Sequence, residues 1–427
     1  MHTNKLLLLL LVTLGSAPFG AVFSDTTGKE PGTLTLERAL QQTLQHHPLL
    51  QAYPFQQRAA EALRLQAGLR PTPTVSVNLA NLAGSGEFTG NEQSEITLTL
   101  SQLIELGDKR RRRIQLQDAR WQQQQAEYEL VRLDILARTG DRYYRVLRLQ
   151  SLITLNQERI EMLQQAQVVI EQRSRAGAGT EADVARLQLG LAQVEARHQQ
   201  LDAELGLARN RLSAMWLQSA NFTRVAGDLT ALPQPPKAQQ LLEKLERAPM
   251  WMQLTANLRQ ADARVALANA NGQSDIRLGV GLRQHNGPQD QALVVNVSMP
   301  LALSNPNRGR IAAAYAERDK TEAVSQLQRQ QLRLNLLELR AQLDAHWQRN
   351  QVLQRRLLPA ASKLLSATEQ GYRQGRYSVL QWADAQQQLF SLKREQIDTQ
   401  HAVFQQFLEL ERLTGQPMNT AGQGDNP

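Results

Sequence analysis

The chain of 427 residues contains no cysteine. That excludes a disulfide framework, thiolate-bound zinc, iron–sulfur clusters and a thiol nucleophile. It also excludes a lipid anchor attached through an N-terminal cysteine. Aromatic residues make up only 5%. Charge of neither sign dominates, since 48 Lys and Arg stand against 40 Asp and Glu, a net +8. So diffuse an excess does not point to nucleic acid. Long apolar runs are missing as well. A bundle of membrane-spanning helices needs several runs of about 20 apolar residues, and none is present. The length allows two to four folding units of roughly 100–200 residues each.

The single strongly apolar stretch opens the chain. Met1–Lys5 carries one basic side chain, Leu6–Leu14 is mostly leucine, and small and mixed residues follow to Ser24. This is the layout of a secretory signal peptide, too short to span a bilayer. Cleavage is expected near Ala21 or Ser24, so 1–24 is removed and the mature protein leaves the cytoplasm.

What remains is written nearly twice. Leu40, Leu44, Pro48 and Ala60 recur as Leu241, Leu245, Pro249 and Ala261, a shift of 201. Further on, Glu171, Gln172, Arg175 and Gly177 meet Glu369, Gln370, Arg373 and Gly375 at a shift of 198. Thr180, Ala185, Leu191 and Leu212 meet Ser378, Ala383, Leu389 and Leu410 in the same register. The expected organisation is a first repeat over 33–219, a proline-containing linker over 220–236, a second repeat over 237–415 and a disordered tail over 416–427.

Each repeat reads as a helix, two short strands, a very long helix, a small-residue turn and another helix. Leu332, Leu336, Leu339, Leu343, His346, Asn350, Leu353, Leu357, Ala360, Leu364, Ala367 and Gly371 keep a 4,3 spacing. Val184, Leu187, Leu191, Val194, His198, Leu201, Leu205, Ala208, Leu212 and Met215 do the same. A 3.5-residue repeat holds one narrow seam against a partner helix, which predicts coiled-coil walls. Arg110–Arg175 lacks proline and predicts one helix on the order of 100 Å long, whereas Pro359 should bend its counterpart.

The strands alternate strictly. Val75, Val77 and Leu79 interleave with Thr74, Ser76 and Asn78, and Ile96, Leu98 and Leu100 with Glu95, Thr97, Thr99 and Ser101. Ile276–Arg283 and Leu293–Ser298 form the second pair. Each hairpin could pack its apolar face on a helix in a soluble protein. At 8–10 residues the strands also suit a tilted transmembrane strand. Four strands cannot close a barrel in lipid, so a membrane reading requires several chains to share one.

Leu34-Thr-Leu-Glu-Arg-Ala-Leu40 followed by Pro48, Ala67-Gly-Leu-Arg-Pro71 and Ser101-Gln-Leu-Ile-Glu-Leu-Gly-Asp-Lys-Arg110 give this layout a family likeness. So do Gln172-Arg-Ser-Arg-Ala-Gly177 and Gly371-Tyr372 with Gly375. On these motifs, over about 33–415, the chain resembles the TolC-type outer-membrane efflux family, and within it the CzcC-like heavy-metal branch. The resemblance implies a mainly α fold with a small β part. It implies a homotrimeric duct whose twelve-stranded barrel, four strands per chain, sits in outer-membrane lipid of a Gram-negative bacterium. An α-helical coiled-coil tunnel continues it into the periplasm. The implied partners are a periplasmic adaptor and an inner-membrane pump of the RND type, and the implied cargo is heavy-metal cations. Organic compounds remain an alternative cargo, and a soluble periplasmic adaptor or coiled-coil scaffold a less favoured reading.

The resemblance places the turns around Gly177 and Thr180, and around Gly371, Gly375 and Ser378, at the periplasmic tip where an adaptor docks. It places Gln381 and Asp384 at two positions that carry acidic constriction rings in some members, with only Asp384 keeping the charge. Tyr372 matches a position in the closing network. Three Asp384 side chains around one axis would repel each other and draw cations, while an ordinary solvated aspartate is the plain alternative. Asp108-Lys-Arg-Arg-Arg-Arg113 marks the start of the long helix near the lipid boundary rather than a nucleic-acid site. His46-His47 and Met250-Trp251-Met252 offer metal-ligand types, but neither recurs at its repeat position, which favours structural roles. No catalytic motif, cofactor site or resident metal site is expected, so the chain reads as a non-enzyme.

Overall fold

A computed structural model describes residues 32–82, 84–287, 290–301 and 304–416. The signal peptide and residues 417–427 of the expected tail lie outside them. The elements run β1 (Thr33–Leu34), α1 (Leu36–His46), α2 (Pro48–Gln51), α3 (Tyr53–Ala67), β2 (Thr74–Ala80), β3 (Glu95–Ile104), α4 (Lys109–Arg175) and α5 (Glu181–Ser213). Then follow β4 (Arg224–Val225), α6 (Ala238–Leu245), α7 (Pro249–Ala270), β5 (Ile276–His285), β6 (Gln291–Ser298), α8 (Arg308–Val352), α9 (Leu358–Arg373) and α10 (Val379–Thr414). No helix of the described residues is long and apolar enough to cross a membrane.

Helix α4 spans 67 residues without a break, about 100 Å at 1.5 Å per residue. It packs on α5, α7 and α10. Gly140 lets α4 approach α10 closely, since an added Cβ there would press into the Leu408 side chain. On α5 the seam is as spaced in the sequence: Leu187, Val194, Leu201 and Ala208 are buried at intervals of seven.

The second wall departs from expectation. Leu332, Leu336, Leu343, Asn350 and Leu353 are buried as predicted, but beyond them the buried set is Ala361, Leu365, Thr368 and Tyr372, with Gly371 alone of the later predicted positions buried beside them. The predicted Ala360, Leu364 and Ala367 are exposed. The cause is a π-helical turn at Leu353–Leu357 between α8 and α9. Pro359 lacks an N–H and its ring crowds the carbonyl four residues back. The wider turn accommodates it and absorbs one extra residue, so the seam slips by one.

The segment expected as a plain linker is also more ordered. β4 pairs in parallel with β1, Phe222, Val225 and Leu229 are buried, and the Tyr143 hydroxyl donates to the Ala226 carbonyl. Three apolar cores result. One joins α1, α4, α5 and the linker around Trp216. A second joins α6, α7, α8 and α10 around Leu336 and Leu343. The third, at the end where the long helices turn back, joins α4, α5, α9 and α10 around Ile170 and Trp382.

Candidate functional site at the sheet and the helical tip

At one end of the helices lies a single antiparallel sheet ordered β2-β3-β5-β6, so that the two hairpins meet along β3 and β5. Paired residues share a face. The register puts Val75, Val77, Leu79, Ile96, Leu98, Leu100, Leu278, Val280, Leu282, Leu293, Val295 and Val297 on one face. All twelve are exposed, Leu282 to 61% and Val295 to 65%. The opposite face carries Thr74, Ser76, Asn78, Glu95, Thr97, Thr99, Ser101, Arg277, Arg283, His285, Asn296 and Ser298, softened only by Ala, Gly, Leu103 and Val294. Thr97 and Thr99 are nearly buried. The usual arrangement, apolar inside and polar outside, is inverted. All four ionisable groups of the strands lie on the polar face. There Glu95 sits 3.6 Å from the Arg283 guanidinium and 3.9 Å from the His285 imidazole.

Where the sheet joins the helices, polar side chains lock the junction. The Lys109 ammonium, its side chain 9% exposed, donates to Asp275 at 2.6 Å and to the Gln273 carbonyl at 2.7 Å. Asp275 also accepts from the Leu106 amide at 3.0 Å. Arg113 forks onto Glu105 and donates to the carbonyls of Ala67 and Leu69. The Glu105 partnership raises the Arg113 pKa above the ordinary guanidinium value, so the charge is permanent. Both ion pairs tie strand ends of different segments to the first turn of α4.

At the far end, α4 and α5 turn over Gly177 while α9 and α10 turn over Gly375. Both glycines adopt the left-handed conformation, φ +72° and +75°, which a side chain disfavours. The Ala178 amide bonds back to Arg173 and the Gly177 amide to Ser174. At the second turn Arg376 bonds to Gly371 and Gly375 to Tyr372. These are two copies of one Schellman ending, offset by 198 residues. Thr180 and Ser378 then cap the outgoing helices in capping boxes with Asp183 and Gln381.

The structure therefore gathers Gly177, Thr180, Gly371, Tyr372, Gly375, Ser378, Gln381 and Asp384 at one end. Gln381 is occupied by the cap, accepting from the Ser378 amide at 2.9 Å. Asp384 is exposed one turn further on and, among the described residues, accepts only from Gln388, four residues along the same helix. Tyr372 is buried and stacks on Trp382 with ring centroids 5.2 Å apart. The Arg173 guanidinium lies 4.7 Å over the Tyr372 ring and also donates to its carbonyl. Burial raises the Tyr372 pKa despite that positive neighbour, so the phenol stays neutral. Arg173 and Trp382 were missed in the sequence. Neither recurs at its repeat position, where Gly371 and Val184 stand, and the contact joins the two repeats rather than neighbours in the chain.

The residues weighed as metal ligands have structural surroundings. Trp251 lies under Arg329 and Arg333 at 4.9 and 5.4 Å. His46 bonds to the Gln42 carbonyl within its own helix, and burial with nearby Arg138 and Arg142 lowers the His47 pKa. Among the described residues no group of three or more His, Cys, Asp or Glu could hold a metal ion.

Comparison with known proteins fits this arrangement. A family model described as outer membrane efflux protein matches residues 39–216 and 241–416, once per repeat. The cobalt-zinc-cadmium resistance protein CzcC of Cupriavidus metallidurans is 26% identical over 415 residues, covering 95% of this chain and 98% of CzcC. The nickel and cobalt resistance protein CnrC of the same organism is 26% identical over 312 residues, covering 68% of this chain and 71% of CnrC. Among solved structures CusC, described as forming a transmembrane channel, superposes with a TM-score of 0.75 at 15% identity, over 89% of this chain and 92% of CusC.

Proposed function

The chain belongs to the outer membrane efflux protein family, and from that premise we propose that it is the outer-membrane exit duct of a three-part efflux system for metal cations. The observation that carries the duct is the inverted sheet: twelve apolar side chains share one exposed face, interrupted only by Gln102, Gln284 and Gln291, and every charged group of the strands lies on the other face. In water that face would cost roughly 25 cal/mol for every Å² left exposed. In hydrocarbon it is at home. The outer edges of β2 and β6 have no partner among the described residues, and an open edge in lipid leaves backbone groups unsatisfied. Edge-to-edge pairing with further copies removes both edges, and three copies give a twelve-stranded barrel around a polar lumen.

The helices extend this lumen into the periplasm, toward an adaptor and an RND-type inner-membrane pump. The two hairpin turns, with Gly177, Thr180, Gly371, Gly375 and Ser378, form the rim on which the adaptor docks. Asp384, with Gln381 beside it and Tyr372 bracing the helix behind, lines the narrow end, where three carboxylates repel one another and attract cations. Passage is passive, so no catalytic group or cofactor takes part and the pump supplies the work. The metal assignment rests on the names of CzcC and CnrC, which cover most of the chain.

A deletion strain and its complemented parent, grown on graded zinc, cobalt, cadmium, nickel, copper and silver beside dyes and antibiotics, test the cargo. Sensitivity confined to metals is the expected result. Sensitivity to organic compounds alone would keep the duct and overturn the metal. Planar-bilayer recordings of the purified protein test the duct itself, and a protein that never conducts would return it to the soluble-adaptor class. In the same recordings Asp384→Asn should weaken block by divalent cations, and unchanged recordings would remove Asp384 from the narrow end.

A further inference from the structure

We propose that the collar where the sheet meets the helices binds the phosphates of anionic phospholipids in the periplasmic leaflet, an inference that rests on the outer-membrane reading above. The four segments joining strands to helices are 68–73, 105–113, 271–277 and 299–310. They hold nine Lys and Arg against three Asp and Glu. Most of the net charge of the protein is thus gathered in one band at the lower border of the apolar face.

All three carboxylates of the collar are engaged within it: Asp275 by Lys109, Glu105 by Arg113, and Asp108 by Arg111 at 2.5 Å. Arg70, Arg110, Arg112, Arg308 and Arg310 are left without a carboxylate partner among the described residues, as is Arg277, which lies on the polar face of the sheet and is not part of the lipid-facing set. Arg110, Arg308 and Arg310 are exposed. The arrangement recurs in both repeats, since Arg110 and Arg112 meet Arg308 and Arg310 at the shift of 198. Each pair stands in the first turn of a long helix, where neither α4 nor α8 has an acidic residue. That is the positive end of the helix dipole, an unfavourable place for a cation, so a local rule is broken twice in the same way. An anionic surface supplies the missing counter-charge.

The place of the collar names that surface. Met299 and Leu301, both exposed, carry the apolar band of β6 downward toward Arg308. The helices leave the sheet on this side, so the collar meets the leaflet facing the periplasm, which is built of phospholipid. A basic residue held at an anionic membrane surface strengthens binding about fivefold, and the effect is screened within a Debye length.

The test uses the purified full-length oligomer in bilayers of phosphatidylethanolamine with phosphatidylglycerol, against phosphatidylcholine alone, with retained lipid counted by native mass spectrometry. Wild type should keep phosphatidylglycerol selectively and lose it in 0.5 M salt. Arg308→Gln with Arg310→Gln should lower retention about tenfold or more, and the Arg308→Lys, Arg310→Lys pair should largely restore it. Salt-insensitive retention, or equal retention by wild type and the glutamine pair while both conduct in phosphatidylcholine, would overturn the collar and leave the duct standing. A protein that enters neither bilayer would overturn both.

Discussion

The two hairpin turns at the helical tip share one backbone and differ in nearly everything attached to it. Each ends on a left-handed glycine, Gly177 or Gly375, with the same pair of reversed hydrogen bonds and the same capping box three residues on. The first turn is small, Ala176-Gly-Ala-Gly179, with Val184 behind it. The second carries Tyr372, Tyr377 and Trp382. Arg173 of the first repeat lies over Tyr372 of the second, so the duplicated halves have become clamp and clamped. Duplication preserved what the backbone requires, and divergence settled where one repeat touches the other. In the proposed trimer six turns surround the axis in two alternating kinds.

The strongest way to break this asymmetry is at the position where Val184 and Trp382 correspond. Trp382 is buried and stacked on Tyr372, so Trp382→Ala should cost about 3–5 kcal/mol of local stability. Val184 is only half-buried, and Val184→Ala should cost about 1 kcal/mol. Amide exchange over residues 361–390 and 163–194 reads both. Equal losses would mean that the aromatic cluster adds nothing to the second turn.

Acid provides the next contrast. His401 is largely buried, its Nε2 has no partner, and its pKa is lowered to about 4 by burial first and by Arg148 next. The carboxylates of Asp141 and Asp398 oppose that shift and Arg145 adds to it. The folded state thus resists protonation that the unfolded chain accepts near 6.5. Between those values the unfolded chain binds more protons, so stability falls as the pH drops from about 6.5 to 4. The loss reaches about 3 kcal/mol. The first repeat has Ala203 at the matching position. Wild type and His401→Ala, unfolded in denaturant at pH 7 and pH 4.5, should differ in acid sensitivity, and equal pH slopes would remove His401 as the cause.

Much of this architecture was legible in the sequence because it rests on period. The 3.5-residue seam of α5, the alternation of the four strands and the duplicated register are local patterns, and the strands appear within a few residues of their expected limits. The second wall was misread past Leu353 for a physical reason. A heptad count assumes constant winding, and the π turn before Pro359 adds a residue that no periodicity announces. The parallel bridge of β1 to β4 was invisible because two residues carry no period. At the tip the glycines and hydroxyl caps were readable from their own chemistry. The Arg173–Tyr372 contact was not, since it spans 199 positions in sequence.

Glycine substitutions separate backbone from packing at the two turns. An added Cβ at Gly371 would enter the Tyr377 ring, so Gly371→Ala should cost about 1–3 kcal/mol as the ring is displaced. At Gly177 nothing lies within 4 Å of the added atom. Only the positive φ resists it, and Gly177→Ala should cost about 1 kcal/mol. Tyr377→Ala should rescue the first variant and leave the second unchanged. Rescue of both, or of neither, would show that the second turn is not held by its aromatic contact.

The smallest expected difference is between the caps. The Thr180 hydroxyl accepts from the Asp183 amide at 3.2 Å, and the Ser378 hydroxyl accepts from the Gln381 amide at 3.3 Å. In return the Thr180 amide donates to the Asp183 carboxylate at 3.2 Å and the Ser378 amide to the Gln381 carbonyl at 2.9 Å. Each alanine replacement of the capping residue should cost about 1 kcal/mol. The reciprocal partner distinguishes the turns, because a carboxylate beside a helix N-terminus also gains from the dipole by about 0.3–1 kcal/mol. Asp183→Asn should therefore weaken the first turn, and raising the salt concentration should erode the wild-type advantage. Gln381→Glu should instead strengthen the second turn by a similar amount, unless three such carboxylates, one turn from Asp384, repel one another across a closed axis. A gain would mean that these faces are well separated. A loss would place the Gln381 and Asp384 faces of three chains together at the narrow end, which is the geometry the proposed gate requires.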